Sequence, residues 1–212
     1  MRLDVLGPLL VADDTGARIQ VPAGRQRVLL AALLVRANQV VPAAELAELV
    51  WDGAPPTGAG VTVRSYVMRL RRSVGPQVAA RIITRDPGYL CQVTDDEVDL
   101  LRFEVLCRRG GAAVRARSWK QAADVLDEAL GLWRAAPLGD VASQMLHHEV
   151  LPRLQQTRLE AVERRAGALL RLGRHEGRGA GARVAGAGRR ASVAGTPPRP
   201  ADAGAVPVRP PR

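Results

Sequence analysis

The sequence predicts an α+β amino-terminal block, in which a small antiparallel sheet and three helices are closed by a β-hairpin. An all-α block of helical hairpins and a disordered tail follow. Three observations carry this reading. Apolar residues alternate in short segments over positions 1–21, then recur at helical spacing to Val74 and form two short β runs about the Pro87-Gly88 turn. From about 98 to 172 the periodicity is helical throughout. Beyond Glu176 leucine and aromatic residues disappear, while glycine, proline and arginine accumulate.

The segments Arg2–Leu6, Leu9–Ala12 and Arg18–Val21 alternate and are broken by Gly7-Pro8 and by Asp13-Asp14-Thr15-Gly16, which are strand and turn signals. A helix is expected over Arg25–Ala37, with Asn38 at its carboxyl cap. A second begins at Pro42, acceptable in a first turn, and runs to Trp51. Asp52-Gly53-Ala54-Pro55-Pro56 breaks the chain, and a third helix spans about Gly60–Val74.

In the third helix Val63, Val67, Leu70 and Val74 follow the i, i+4, i+7, i+11 spacing and form one buried stripe, with Tyr66 at its edge. The opposite face presents Thr62, Ser65, Met68, Arg69 and Arg72, while Arg64 and Arg71 lie on one flank. Four arginines and no acid share this helix. Past Gly75-Pro76, Arg81–Thr84 and Tyr89–Val93 are two strands joined by Arg85-Asp86-Pro87-Gly88, a hairpin expected to hold Arg81 and Arg85 near its tip. Three helices and a hairpin describe a winged helix-turn-helix, whose third helix enters the major groove of DNA.

The second block opens a helix at Asp99–Phe103, forms another from Trp119 to Arg134 and a long one over about Leu146–Leu172. Paired helices packed like tetratricopeptide repeats are expected, without a clean 34-residue repeat. The expected divisions are therefore 1–95, 96–176 and 177–212.

Composition narrows the function. The formal charge is +10, yet all but one of the 31 basic residues are arginine, Lys120 being the lone lysine, which reflects a GC-rich genome as much as a polyanionic partner. Most of that excess falls in 177–212, so the position of the arginines matters more than their number. Aromatic residues are 3%, too few for the stacking platforms of single-strand binding, whereas duplex DNA is held through phosphates and base edges. No apolar run reaches a membrane span, and Met1–Asp14 turns acidic where a signal peptide stays apolar, so a cytoplasmic protein without membrane contact is expected.

Enzyme signatures are missing: no Gly-x-Gly-x-x-Gly follows a strand, no Gly-x-Ser-x-Gly occurs, and Lys120 lies in no phosphate loop. No cofactor is expected. His147 and His148, adjacent on a helix, point about 100° apart and share an ion poorly, so no metal site is expected either. Cys91 and Cys107 match no metal spacing and are read as reduced thiols.

Position assigns the expected contacts with DNA. Ser65, Met68, Arg69 and Arg72 reach base edges, where an arginine bidentate to guanine contributes roughly 1–3 kcal/mol of discrimination. Arg64 and Arg71 hold phosphates, and Arg85 meets the backbone or the minor groove. Thr84 is either a phosphate donor or simply a strand residue.

The order and spacing of three motifs resemble OmpR/PhoB-type winged helices and, more closely, the AfsR/SARP family of transcriptional regulators. These are Val5-Leu6-Gly7-Pro8-Leu9, then Val63 with Tyr66-Val67-Met68-Arg69-Leu70-Arg71-Arg72, then Ile83-Thr84-Arg85 with Pro87-Gly88-Tyr89. The second block resembles the bacterial transcriptional activator domain of that family through Asp99 with Phe103, Ala129-Leu130 with Leu132-Trp133-Arg134, Pro137-Leu138 with Asp140-Val141, and Leu159-Glu160-Ala161 leading to Leu169–Glu176. The resemblance implies binding of direct repeats near promoters as a dimer or multimer, contact with RNA polymerase and control of secondary-metabolite genes. It places the chain beside two-component and phosphorelay regulators, although the chain opens directly on the strands and no phosphoacceptor aspartate is assigned. The alternative is a protein-interaction module of helical hairpins whose DNA binding is weak or lost.

After Glu176 the family pattern is expected to stop. GC-rich codons for 199–212 read in the neighbouring frame can encode an amphipathic helix and a glycine turn, so truncation or a frameshift is the expectation. The nucleotide sequence downstream of codon 176 decides it.

Overall fold

The computed structural model describes residues 1–22 and 24–173. The expectations for 177–212 lie outside these residues. Three short strands, β1 (Arg2–Asp4), β2 (Leu10–Ala12) and β3 (Arg18–Ile19), form an antiparallel sheet in that order, with Leu3 opposite Val11 and Val11 opposite Ile19. Helices α1 (Arg25–Val35), α2 (Ala43–Val50) and α3 (Ala59–Ser73) follow, with β4 (Val41–Pro42) between the first two. A short helix, α4 (Gly75–Arg81), leads into β5 (Ile82–Arg85) and β6 (Gly88–Cys91). The second sheet has the order β4-β6-β5. The remaining elements are α5 (Asp99–Arg115), α6 (Trp119–Gly131) and α7 (Gln144–Arg171).

The winged helix-turn-helix and the helical hairpins are thus both present, with corrections at element boundaries. Pro42 does not open the second helix. Its extended backbone, φ −58° and ψ 143°, ends β4 and caps α2. The segment 75–81, read as a break leading into a strand, is helical: Pro76 sits in the first turn, where its missing N–H costs nothing. A seven-residue helix with Val78 as its one buried apolar residue repeats too little to show a periodicity. Arg81 therefore ends a helix, and the hairpin begins at Ile82. Helix α6 stops at Gly131 rather than Arg134, because the Arg134 N–H leaves the helix to donate to the Leu6 carbonyl at 2.9 Å.

One continuous core runs through both halves. Leu3, Val5 and Leu6 are fully buried together with Phe103, Leu126, Leu138 and Leu146. The segment Val5–Leu9 supplies the join through its backbone. Asp99 accepts from the N–H groups of Val5 (2.8 Å) and Leu6 (2.9 Å), and Asp140 accepts from that of Leu9 (2.8 Å). The Leu138 N–H reaches the carbonyls of Val5 (3.1 Å) and Gly7 (2.9 Å). A side chain at Gly7 would place its Cβ 3.1 Å from that of Arg134, so the glycine permits this approach. Buried backbone groups need such partners, and the matching second-block residues provide them.

Burial pushes the Asp99 carboxyl up to about 6, against the lowering effect of the two backbone N–H groups. It also pushes the free thiols Cys91 and Cys107 up to about 12 and about 11. Among the described residues no helix is long and apolar enough to cross a membrane.

Candidate nucleic-acid interface

Helix α3 buries Val63, Val67 and Leu70, and Val74 at its carboxyl cap is buried as well. Opposite them, Arg64, Ser65, Met68, Arg69 and Arg72 are exposed, while Thr62 and Arg71 are half-buried. The first turn carries no acid, and Arg71 and Arg72 lie in the last turn, where cations suit the partial negative charge of the helix end. Among the described residues none of Arg64, Arg69, Arg71, Arg72 and Arg85 forms an ion pair. By contrast, Arg27 pairs with Asp140, Arg36 with Glu45 and Glu149, and Arg134 with Asp4.

The wing lies beside this helix. Strands β5 and β6 pair from Ile82 opposite Cys91 to Arg85 opposite Gly88, leaving Asp86-Pro87 as a two-residue loop with a cis peptide bond. Thr84 and Arg85 are exposed close to that loop, together with the acidic Asp86. Arg64 and Thr84 line one cleft between the start of α3 and the wing.

Four of the expected contact residues, Ser65, Arg71, Thr84 and Arg81, have structural partners. The Ser65 hydroxyl donates to the Val61 carbonyl at 3.4 Å. Arg71 donates through Nε (3.1 Å) and Nη2 (2.7 Å) to the Ile82 carbonyl, and through Nη2 to Thr84 Oγ1 (3.0 Å). Arg81 is not near the hairpin tip: it sits at the opposite end, at the base of β5, and pairs with Glu97. The Glu97 carbonyl in turn accepts from the Leu3 N–H at 2.8 Å, so Arg81 belongs to the packing between wing base and first strand.

The structure also brings two unexpected residues to this surface. Val61, 74% exposed, extends the outward stripe by one turn, at the same i, i+4, i+7, i+11 spacing with Ser65, Met68 and Arg72 that marks the buried side. That signal is legible in the sequence. Arg25 donates to the Tyr66 hydroxyl at 3.0 Å and stacks 4.9 Å above the Trp51 ring, a cluster across three helices with no local sequence signature.

Among the described residues no group of histidine, cysteine and carboxylate side chains is arranged to hold a metal ion. His147 Nε2 lies 3.1 Å from the Leu138 carbonyl, and His148 is exposed.

An exposed arginine-bearing third helix beside a β-hairpin, carried on helical hairpins, defines the OmpR/PhoB-type winged-helix class of DNA-binding domain. Comparison with known proteins agrees. The family model described as "Transcriptional regulatory protein, C terminal" matches residues 21–91, and that of the "Bacterial transcriptional activator domain" matches 98–185, past the Glu176 limit expected from sequence. The regulatory protein DnrI of Streptomyces peucetius is 32% identical over 84% of this chain and 68% of its own length. The regulatory protein AfsR of Streptomyces coelicolor is 32% identical over 82% of this chain, which spans 17% of that larger protein. The solved structure of Mycobacterium tuberculosis EmbR in complex with a low-affinity phosphopeptide superposes with a TM-score of 0.76 at 29% identity, covering 82% of this chain and 46% of the other. The chain belongs to the AfsR/SARP family of DNA-binding transcriptional regulators.

Proposed function

We propose that this chain binds double-stranded DNA sequence-specifically through α3 and the β5–β6 wing, and that it activates transcription in the cytoplasm. The observation that carries the reading is the surface on which Arg64, Arg69, Arg72 and Arg85 stand exposed together without acidic partners, whereas Arg27, Arg36 and Arg134 are paired. Ser65, Met68, Arg69 and Arg72 face base edges, and Arg64, Arg85 and the Thr84 hydroxyl face phosphates, with Thr62 at the margin. Arg71 serves chiefly to hold helix and wing at a fixed angle.

In this reading residues 1–95 are the DNA-binding unit, and residues from 96 on, matched by the activator-domain model as far as 185, are the activator part that meets RNA polymerase. Family membership supports dimers or multimers on direct repeats near promoters of secondary-metabolite genes. Gel-shift titration against a duplex selected from a randomised pool and against a scrambled duplex, each at two salt concentrations, tests it. Selective binding that weakens with salt supports the proposal.

A second reading is favoured by α7, whose outward face exposes Leu159, Val162 and Leu170. There the helical hairpins are the working surface, a protein-contact module, and the same titration shows no preference between duplexes.

A further inference from the structure

The outward face of α3 carries large apolar side chains where a purely electrostatic surface needs none. Val61 is 74% and Met68 48% exposed, and both align with Ser65 and Arg72 directly opposite the buried stripe. Single exposed apolar residues are ordinary, but these two share one face with Arg69 and Arg72 and no acid, and Arg64 flanks it.

The chemistry of that face is selective by what it offers. Guanine is read by arginine, adenine by asparagine or glutamine at N6 and N7, and cytosine by a carboxylate at N4. Helix α3 contains arginine but no asparagine, glutamine, aspartate or glutamate, and Ser65 bonds either donors or acceptors. One feature of A·T pairs remains legible to it: the thymine C5 methyl group, which projects into the major groove and packs against apolar side chains. The charge of Arg64, Arg69, Arg72 and Arg85 commits the occupant of this face to a polyanionic duplex rather than to an apolar protein partner.

We infer that Val61 and Met68 read thymine methyl groups, so that the target couples guanines met by Arg69 and Arg72 to thymines packed against the two apolar side chains. This rests on the proposed function and adds a base preference to it. The methyl can be removed alone, because deoxyuridine keeps every hydrogen-bonding group of thymidine.

Duplexes enriched from a randomised pool by the full chain are therefore resynthesised with each thymidine replaced in turn by deoxyuridine. Binding of each is then measured with the wild-type protein and with a Val61→Ala/Met68→Ala variant. Specific positions are expected to lose roughly three- to five-fold in affinity per methyl removed, the effect of burying one methyl-sized group. The variant is expected to bind the parent duplex more weakly and to lose less than two-fold at the same positions, with its salt dependence unchanged. Enriched duplexes that bind tightly yet tolerate every deoxyuridine overturn the inference and leave the proposed function standing. Equal sensitivity of wild type and variant overturns it too. Failure to enrich any duplex overturns the proposed function, and this inference with it.

Discussion

Arg71 and Thr84 are joined across the gap between α3 and the wing: the arginine Nη2 donates to the threonine hydroxyl at 3.0 Å while the same side chain grips the Ile82 carbonyl. Since Thr84 accepts this bond, its own hydroxyl hydrogen stays available for an acceptor such as a phosphate oxygen. Helix α3 and strand β5 are thereby held in one geometry.

Arg71→Ala removes that grip and leaves the half-buried Ile82 carbonyl short of donors. A loss of about 1–2 kcal/mol is expected, read as a fall of roughly 2–4 °C in Tm per kcal/mol for a chain of this size. Arg71→Lys restores only part of it, because an ammonium lacks the planar fork. An unchanged melting curve for Arg71→Ala contradicts the clamp.

Arg64 and Arg85 differ from Arg81 in a way that salt titration separates. Arg64→Ala and Arg85→Ala each reduce the slope of log affinity against log salt by about 0.9 with little change in stability. Arg81→Ala breaks the pair with Glu97 and lowers stability while leaving the slope unaltered. The opposite pattern reverses these assignments.

Asp99 gives the join between the halves a pH dependence. Its folded value, about 6, lies above the ordinary carboxyl value of 3.8, so the folded state holds the proton more tightly. That contribution is fully present below about pH 4 and is lost as pH rises through 6, a change on the order of 2–3 kcal/mol. Asp99→Asn abolishes this slope, because the amide does not titrate between pH 4 and 8. Chemical denaturation from pH 4 to 8 checks both statements.

Gly88 is required for steric reasons. A Cβ there would lie 1.9 Å from the Val41 carbonyl oxygen, a backbone atom fixed by the pairing of β4 with β6. Gly88→Ala is expected to cost at least about 1–3 kcal/mol and to disturb the wing, seen as a lower Tm together with weaker DNA binding. Wild-type behaviour of this variant is incompatible with the observed strand register.

The major elements were legible because their apolar spacing is strong: the Val63–Val67–Leu70–Val74 stripe alone orients α3. Helix α4 was not, since one buried valine in seven residues sets no period. The partners of Arg71 and Arg81 were also hidden, because an arginine's spacing on its own helix says nothing of the carbonyl or carboxylate another segment brings to it. The same holds for Arg25, whose hydrogen bond to Tyr66 spans 41 positions. Asp99 and Asp140 stood out as motif residues, but their work, capping the backbone of Val5–Leu9, appears only once the two blocks are folded together.

The central claim, that α3 reads sequence in duplex DNA, is tested most directly by fluorescence anisotropy of wild type and Arg69→Ala/Arg72→Ala against a selected duplex and its scrambled counterpart. Wild type is expected to prefer the selected duplex. The double variant is expected to lose roughly ten- to a hundred-fold of that preference while retaining weak, salt-sensitive affinity for both. A double variant that keeps wild-type affinity and preference contradicts the account.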